Sequence, residues 1–363
     1  MREANLPPSM TSRLVDQVRA AASAKRVLVI EAGGTKAFYG NPTAGERLDP
    51  RECAGIVEYE PSELVVTVRG GTPLAELEST LAARGQMLAF EPPHFGSLAT
   101  VGGCIAAGLA GPRRAGAGVA SGGVRDSLLG VTMLDGRGAI LAFGGAVMKN
   151  VAGYDVSRLM AGSLGTLGVL LEASLRLVPR PAAEVTLSLE LEEQAGLQQC
   201  TTWLRQPWPI SGTVWADGRL HVRLSGAASA VAAACGAFDG EPLAAEAAAG
   251  FWSGIREQTA PFFRHDGPLW RVSLPGNSPP LELAGPQLTE WGGALRWLFA
   301  GTDAATVRRR VAALGGHATL FRGERSGVAA FTPRPAGVAA LEARLRAQFD
   351  PAGIFNPGRM YAN

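Results

Sequence analysis

The feature that most limits what this chain can fold into is its run from Pro92 to Gly130, where Gly102, Gly103, Gly108, Gly111, Gly116, Gly118, Gly122 and Gly123 crowd one stretch. Glycine weakens a helix or strand interior by about 0.5–1 kcal/mol per position. The segment therefore reads as turns held in place by their surroundings, and so long an irregular stretch inside a domain is usually functional. Two shorter segments share its texture. "EAGGTK" follows the apolar run "RVLVI", and "GSLGTLG", Gly162 to Gly168, sets three glycines three residues apart beside two hydroxyl side chains.

Regular elements frame these loops. Apolar spacing predicts a helix from about Thr11 to Lys25, capped by hydroxyl residues, then a buried strand at "RVLVI". "ELVVTVRGGTPLAELESTLAARGQ" predicts a strand and a helix with Thr72 as N-cap, Pro73 in the first helical position and Gly85 as the stop. "LLGVTMLD" and "GAILAF" read as strands around the turn Asp135-Gly136, and "VLLEASLRLV" as a strand broken by Pro179. Proline-flanked Arg180 marks a domain boundary. Beyond it, helical "SAVAAACGAF" alternates with strand-like "RLHVRLSG" and "LWRVSLP", and all seven tryptophans follow residue 200. This texture predicts a second α+β domain, which a length of 363 residues accommodates. The tryptophans fit either a buried core or an exposed apolar face for a partner.

With 34 basic and 32 acidic residues the net charge is +2, no footprint for nucleic acid or an anionic membrane. No apolar run is long enough for a membrane span, and charges stand where a secretory signal needs apolar residues. The expectation is a cytoplasmic protein, with any inner-membrane association made through partners. Cys53, Cys104, Cys200 and Cys235 are scattered, which predicts buried free thiols and no iron–sulfur or zinc site.

Two standard phosphate loops fail on this sequence. Lys36 is followed by Ala37 and "FYGNP" rather than by Ser or Thr opening a helix, so there is no P-loop. Gly33-Gly34 precedes a loop and Gly162 to Gly168 precedes a strand, so there is no dinucleotide fingerprint. What remains is a site of several glycine turns whose N–H groups converge on a diphosphate, with Thr35, Ser163 and Thr166 as possible hydroxyl donors. Any one such turn has an ordinary reading; three in one domain point to a ligand. Of the basic residues only Lys25, Lys36 and Lys149 are lysine, and two of these lie in or beside the suspected loops.

"VIEAGGTKAFYG", "PPHFGSLATVGGCIAAGLAGPRR", "VRDSLLGVTMLDGRG", "VMKNVAGYDVSRLMAGSLGTLGVL" and "FDPAGIFNPGRMY" resemble the FAD-linked oxidases of the vanillyl-alcohol oxidase type. Within these they are most similar to the FAD-binding subunits of bacterial glycolate oxidase, also called glycolate dehydrogenase. The resemblance implies an α+β fold: a two-subdomain FAD-binding domain of the PCMH type over residues 1–180, an α+β cap domain over 181–330, and a C-terminal segment, 331–363, returning to the flavin domain. It implies non-covalent FAD on Ala32, Gly33, Gly34, Thr35 and Lys36, on Thr100, Val101, Gly102, Gly103, Ile105 and Ala106, and on Arg125, Asp126 and Leu129. Gly162, Ser163, Gly165, Gly168 and Val169 match the adenosine side, and Asn356 and Arg359 the returning segment.

The function implied is FAD-dependent oxidation of glycolate, a 2-hydroxy acid, to glyoxylate. A homologous FAD-containing subunit and an iron–sulfur subunit would be partners. The cap motif H-x-G-D-G-N-x-H of related dehydrogenases is absent, and His221, His265 and His317 are dispersed, so no metal is expected and no catalytic residue is assigned. His94 either faces the flavin or is a partly buried loop histidine. Cys104 reads as a packing residue rather than a flavin attachment point. Arg113 and Arg114 suit a phosphate, a carboxylate, a partner surface or solvent. Two departures stand out: Leu164 replaces an acidic residue common in relatives, and "AGAGVASGG", Ala115 to Gly123, is longer than the usual link. A self-sufficient hydroxy-acid dehydrogenase and a redox-inactive scaffold are the rival readings.

Overall fold

Helix α1 (Pro8–Ala24) opens three residues before the hydroxyl cluster. Pro7 holds the N-cap position without a side-chain cap, because Pro8 lacks the N–H that would otherwise need an acceptor. Leu14, Val18 and Ala21 form its buried stripe. The structure is a computed structural model describing residues 6–115, 122–145, 155–324 and 327–361. Gly116, Gly118, Ser121, Lys149 and most of "AGAGVASGG" and "VMKNVAGY" lie outside the described residues.

The apolar run "RVLVI" yields only a short strand, β1 (Leu28–Ile30), parallel to β2 (Glu46–Leu48). Then come β3 (Ile56–Glu60), β4 (Val65–Arg69) and α2 (Leu74–Ala82). Leu74, Leu77 and Leu81 give α2 its buried face. Thr72 does not cap it: its Oγ1 accepts from Gly55 N at 2.9 Å and donates to Gly55 O at 3.2 Å, which leaves Pro73 as N-cap. Strand β5 (Gln86–Met87), α3 (Val101–Ala107) and α4 (Val124–Ser127) follow, then β6 (Leu128–Leu134), β7 (Ile140–Gly144), β8 (Val169–Arg176) and β9 (Val178–Pro179). Among the described residues, β3-β4-β8-β6-β7 make one antiparallel sheet. Its center, β8, is buried over nearly its whole length, as a strand covered on both faces must be.

A second sheet begins at β10 (Ala183–Glu190), followed by α5 (Glu193–Trp203), β11 (Ile210–Ala216), β12 (Arg219–Gly226), α6 (Ala228–Ala237), β13 (Glu241–Pro242) and α7 (Ala245–Arg256). It continues with β14 (Leu269–Ser273), β15 (Gln287–Glu290), β16 (Leu295–Phe299), α8 (Ala304–Ala313) and β17 (His317–Arg322). The order β13-β10-β12-β11-β15-β16-β14-β17 is antiparallel throughout. Trp203, Trp252, Trp270, Trp291 and Trp297 are buried, and none of the seven is among the exposed large apolar side chains. Tryptophan here fills the core and does not form a surface patch. Cys53, Cys104 and Cys200 are buried free thiols, while Cys235 is half-buried.

Helix α9 (Ala336–Phe349) brings the chain back to the first half, where Phe349 enters the core behind the five-stranded sheet. Asp350, 4% exposed, accepts from the N–H groups of Ile354 and Phe355, and Phe355 lies beside Leu28 of β1. The terminus is thus laced into the first domain rather than frayed.

Candidate functional site

One cleft gathers three separate loops and the returning terminus. Its first wall is the turn after β1, with Ala32, Gly33, Gly34, Thr35 and Lys36 all lining it. The backbone N–H groups of Gly33, Gly34, Thr35 and Lys36 have no acceptor among the described residues. Four consecutive donors without a protein acceptor, on a half-exposed turn beside a cleft, are what an anionic diphosphate needs. Gly34 has φ +68°, which keeps the turn open to the cleft.

The second wall is α3, and its donors are occupied. Val101 N donates to Thr72 O, Gly102 N to Gly70 O and Gly103 N to the Thr100 side chain, which caps the helix. What α3 offers is a smooth surface: Thr100, Gly102, Gly103, Ala106 and Ala107 line the cleft. The helical period turns Val101 and Ile105 into the core instead, so these two do not reach it.

The third loop supplies Leu164, Gly165, Gly168 and Val169. Gly162, Ser163 and Leu164 donate their N–H groups to Ile105, Met160 and Ala106 carbonyls, so this loop is tied to the back of α3. Thr166 Oγ1 donates to Ser163 O at 2.8 Å inside its own turn, so Thr166 is not a donor to the cleft. Gly162 and Ser163 stay outside the lining, as do Arg125, Asp126 and Leu129, which lie on α4 and β6. Asn356 joins the parts: Oδ1 accepts from Ile30 N at 2.9 Å and Nδ2 donates to Leu164 O at 2.7 Å. Arg359 donates to Ala37 O at 2.7 Å.

Sequence reading missed Val29, Ile30, Glu31, Ala37, Pro50, Gly70, Ala107, Leu164 and Leu170 of the lining. Gly70 carried a signal in the pair Gly70-Gly71. A Cβ there would collide with Leu170 O, so only glycine lets β4 end against the cleft floor.

Beside Arg359, the basic residue of the cleft lining is Lys36. Its Nζ donates to His94 O at 3.1 Å and sits 5.6 Å from the Phe95 ring centroid. Burial pushes its pKa down, with Cys104 and Glu257 opposing. His94 itself does not line the cleft: its Nε2 pairs with Glu78 Oε2 at 2.8 Å, and its backbone N–H reaches Glu257. Cys104 faces the core, where burial pushes its thiol up to about 12. His221 stacks on Phe251, His265 packs edge-on to Phe262, and His317 opens β17.

Residues 6–144 match the family model described as an FAD binding domain. Glycolate oxidase subunit GlcE of Escherichia coli is 48% identical over 349 residues, 96% of this chain and 97% of that one. The chain belongs to this family. Glycolate oxidase subunit GlcD of Bacillus subtilis is 33% identical over 52% of this chain and 39% of its own length. Among solved structures, an alkyldihydroxyacetonephosphate synthase matches with a TM-score of 0.64 at 16% identity, over 95% of this chain and 74% of that one. The fold is therefore the α+β, vanillyl-alcohol-oxidase type expected from the motifs. FAD is the cofactor of the family domain, and the chain is an FAD-dependent oxidoreductase. No helix among the described residues is long and apolar enough to cross a membrane.

Proposed function

We propose that this chain is the FAD-binding subunit of a glycolate-oxidising complex, working beside a homologous flavin subunit and an iron–sulfur subunit that carries electrons onward. The observation that carries the reading is the near end-to-end similarity to the E. coli glycolate oxidase subunit. Residues 1–180 and 331–363 form the flavin domain of this reading and residues 181–330 its cap.

The free N–H groups of Gly33 to Lys36 bind the diphosphate, and Lys36 adds charge as a compact ammonium. Thr100, Gly102, Gly103 and Ala106 present a flat, unbranched surface to the cofactor, while Gly165, Gly168 and Val169 close the opposite side. Asn356 and Arg359 hold the loops in register. Val101, Ile105 and Ser163 act from behind, by fixing α3 and its neighboring turn; Arg125, Asp126, Leu129 and Gly162 bound the same domain. Bound FAD supplies two-electron acceptance at a hydroxy-acid carbon. Among the described residues no thiol or imidazole lines the cleft, and in this reading the FAD is held without a covalent bond.

Purified chain mixed with FAD tests the reading. We expect yellow protein that releases its flavin on denaturation, and glycolate-dependent reduction of an artificial acceptor that fails when this chain is left out of the complex. Protein that stays colorless with added FAD, or a complex indifferent to this chain, would overturn it.

A further inference from the structure

The loop at residues 93–96 precedes α3 in the first half of the chain, yet it is held from residues 181–330, the cap of the reading above. Glu257 stands at the C-cap of α7, and its Oε2 accepts from His94 N at 3.1 Å and from Phe95 N at 2.9 Å. Its Oε1 accepts from Arg256 Nε at 2.8 Å. Just upstream, Glu91 is gripped from the same side in the opposite polarity: Arg223 of β12 donates to both of its oxygens, at 2.9 and 2.7 Å. Glu91, with φ +42°, and Phe95, with φ +54°, both lie in the left-handed region. A residue other than glycine stays there only where its surroundings hold it.

The other side of this loop faces the FAD cleft. His94 O accepts from Lys36 Nζ at 3.1 Å, and the Phe95 ring centroid lies 5.6 Å from the same ammonium. Gly96 packs on Thr35, where an added Cβ would stand 3.2 Å from Cγ2. The carbonyl of His94 and the N–H of Phe95 belong to one planar trans peptide unit and point to opposite sides of it. Glu257 takes one edge of that unit and Lys36 the other, so a carboxylate of the second half and an ammonium of the cleft lining are joined through a single rigid amide. Charge at both ends polarises the amide and strengthens both bonds.

We propose that Glu257 is a positioning residue for Lys36: through the peptide between His94 and Phe95 it sets where the ammonium stands, and so how tightly FAD is held. The inference rests on the reading that FAD occupies this cleft. The carboxylate acts by its field as well as by the hydrogen bonds. Burial pushes the Lys36 pKa down, and Cys104 and Glu257 oppose it. Of the other charged groups around Lys36, Arg359 donates to its carbonyl at 3.4 Å, and Arg322 of β17 lies 5.0 Å from the Phe95 ring centroid. Glu31 lines the same cleft, and the His94 ring is taken up by Glu78. Without the Glu257 charge, desolvation is less opposed and Lys36 gives up its proton at lower pH.

Titration of the flavin-free chain with FAD at a series of pH values from neutral upward tests this without any turnover. Glu257→Gln, the same shape without the charge, should bind FAD about three- to fivefold more weakly at neutral pH. Its decline with rising pH should begin about half a pH unit or more below that of wild type. In a Lys36→Met background the same change should alter FAD affinity by less than about twofold, since its effect passes through the lysine. Glu257→Asp keeps the charge on a shorter stem and should keep the wild-type pH course, which covers the case that Glu257→Gln does not fold. A purely structural Glu257 would lower stability in a denaturant melt and leave the pH course in place. An unmoved pH course in Glu257→Gln, a shifted one in Glu257→Asp, or an equal loss of affinity in both backgrounds would overturn the proposal. Wild-type chain that takes up no FAD at any pH would overturn the FAD reading, and this inference with it.

Discussion

Two glycine-rich turns border the cleft, and they look alike in sequence but differ in where their N–H groups go. Among the described residues all four donors from Gly33 to Lys36 lack an acceptor, whereas in Gly162 to Gly168 the donors of Gly162, Ser163, Leu164 and Thr166 are taken by Ile105, Met160, Ala106 and Ser163 carbonyls, which leaves Gly165, Leu167 and Gly168 without one. The difference teaches that glycine serves two ends here. In the first turn it exposes a row of amides; in the second it lets backbone pack on backbone.

Substitutions in the two turns should therefore fail in different ways. The largest effect is expected at Gly33, where a Cβ would drive into the Leu98 carbonyl. In Gly33→Ala the row of amides must move, and FAD affinity by equilibrium titration should fall at least 100-fold, about 3 kcal/mol. Asn356→Ala, which strips partners from Ile30 N and Leu164 O at a site 4% exposed, should lower unfolding free energy by about 2–4 kcal/mol in denaturant melts. Its loss is one of stability first, since Asn356 ties both turns.

Lys36→Met should weaken FAD binding by roughly tenfold, the charge lost being partly desolvated. Because burial holds the Lys36 pKa below its usual 10.5, wild-type affinity should decline with rising pH before an ordinary lysine would titrate. The sign follows from the ammonium being the binding form, and the Met variant should lack that decline. The smallest effect is expected at Thr166, whose hydroxyl serves its own turn. Thr166→Val should cost about 1 kcal/mol of stability and leave FAD affinity unchanged. If Thr166→Val weakened FAD and Gly33→Ala did not, the contrast between the turns would be inverted.

Much of this was legible in the sequence because small residues mark close approach. Thr100, Gly102, Gly103 and Ala106 were identifiable, and so was the return of Asn356 and Arg359. Val101 and Ile105 were not separable from them as a motif, although the 3.6-residue period of even a seven-residue helix turns them inward. Gly70 and Leu170 come from strand ends remote in sequence, and their meeting depends on the β4–β8 register. Thr72 looked like a helix cap and instead bonds Gly55, since a local signal cannot announce a partner 17 residues away. The tryptophans show the same limit: abundance gives no information on which face they occupy.

The most direct test of the account is a visible-absorbance titration of the flavin-free chain with FAD, run in parallel on Gly33→Ala and Thr166→Val. The account predicts saturation at one FAD per wild-type chain, the same curve for Thr166→Val, and no saturation for Gly33→Ala at matched concentrations. Saturation of Gly33→Ala with wild-type affinity would contradict the claim that the free amides of the first turn hold the cofactor.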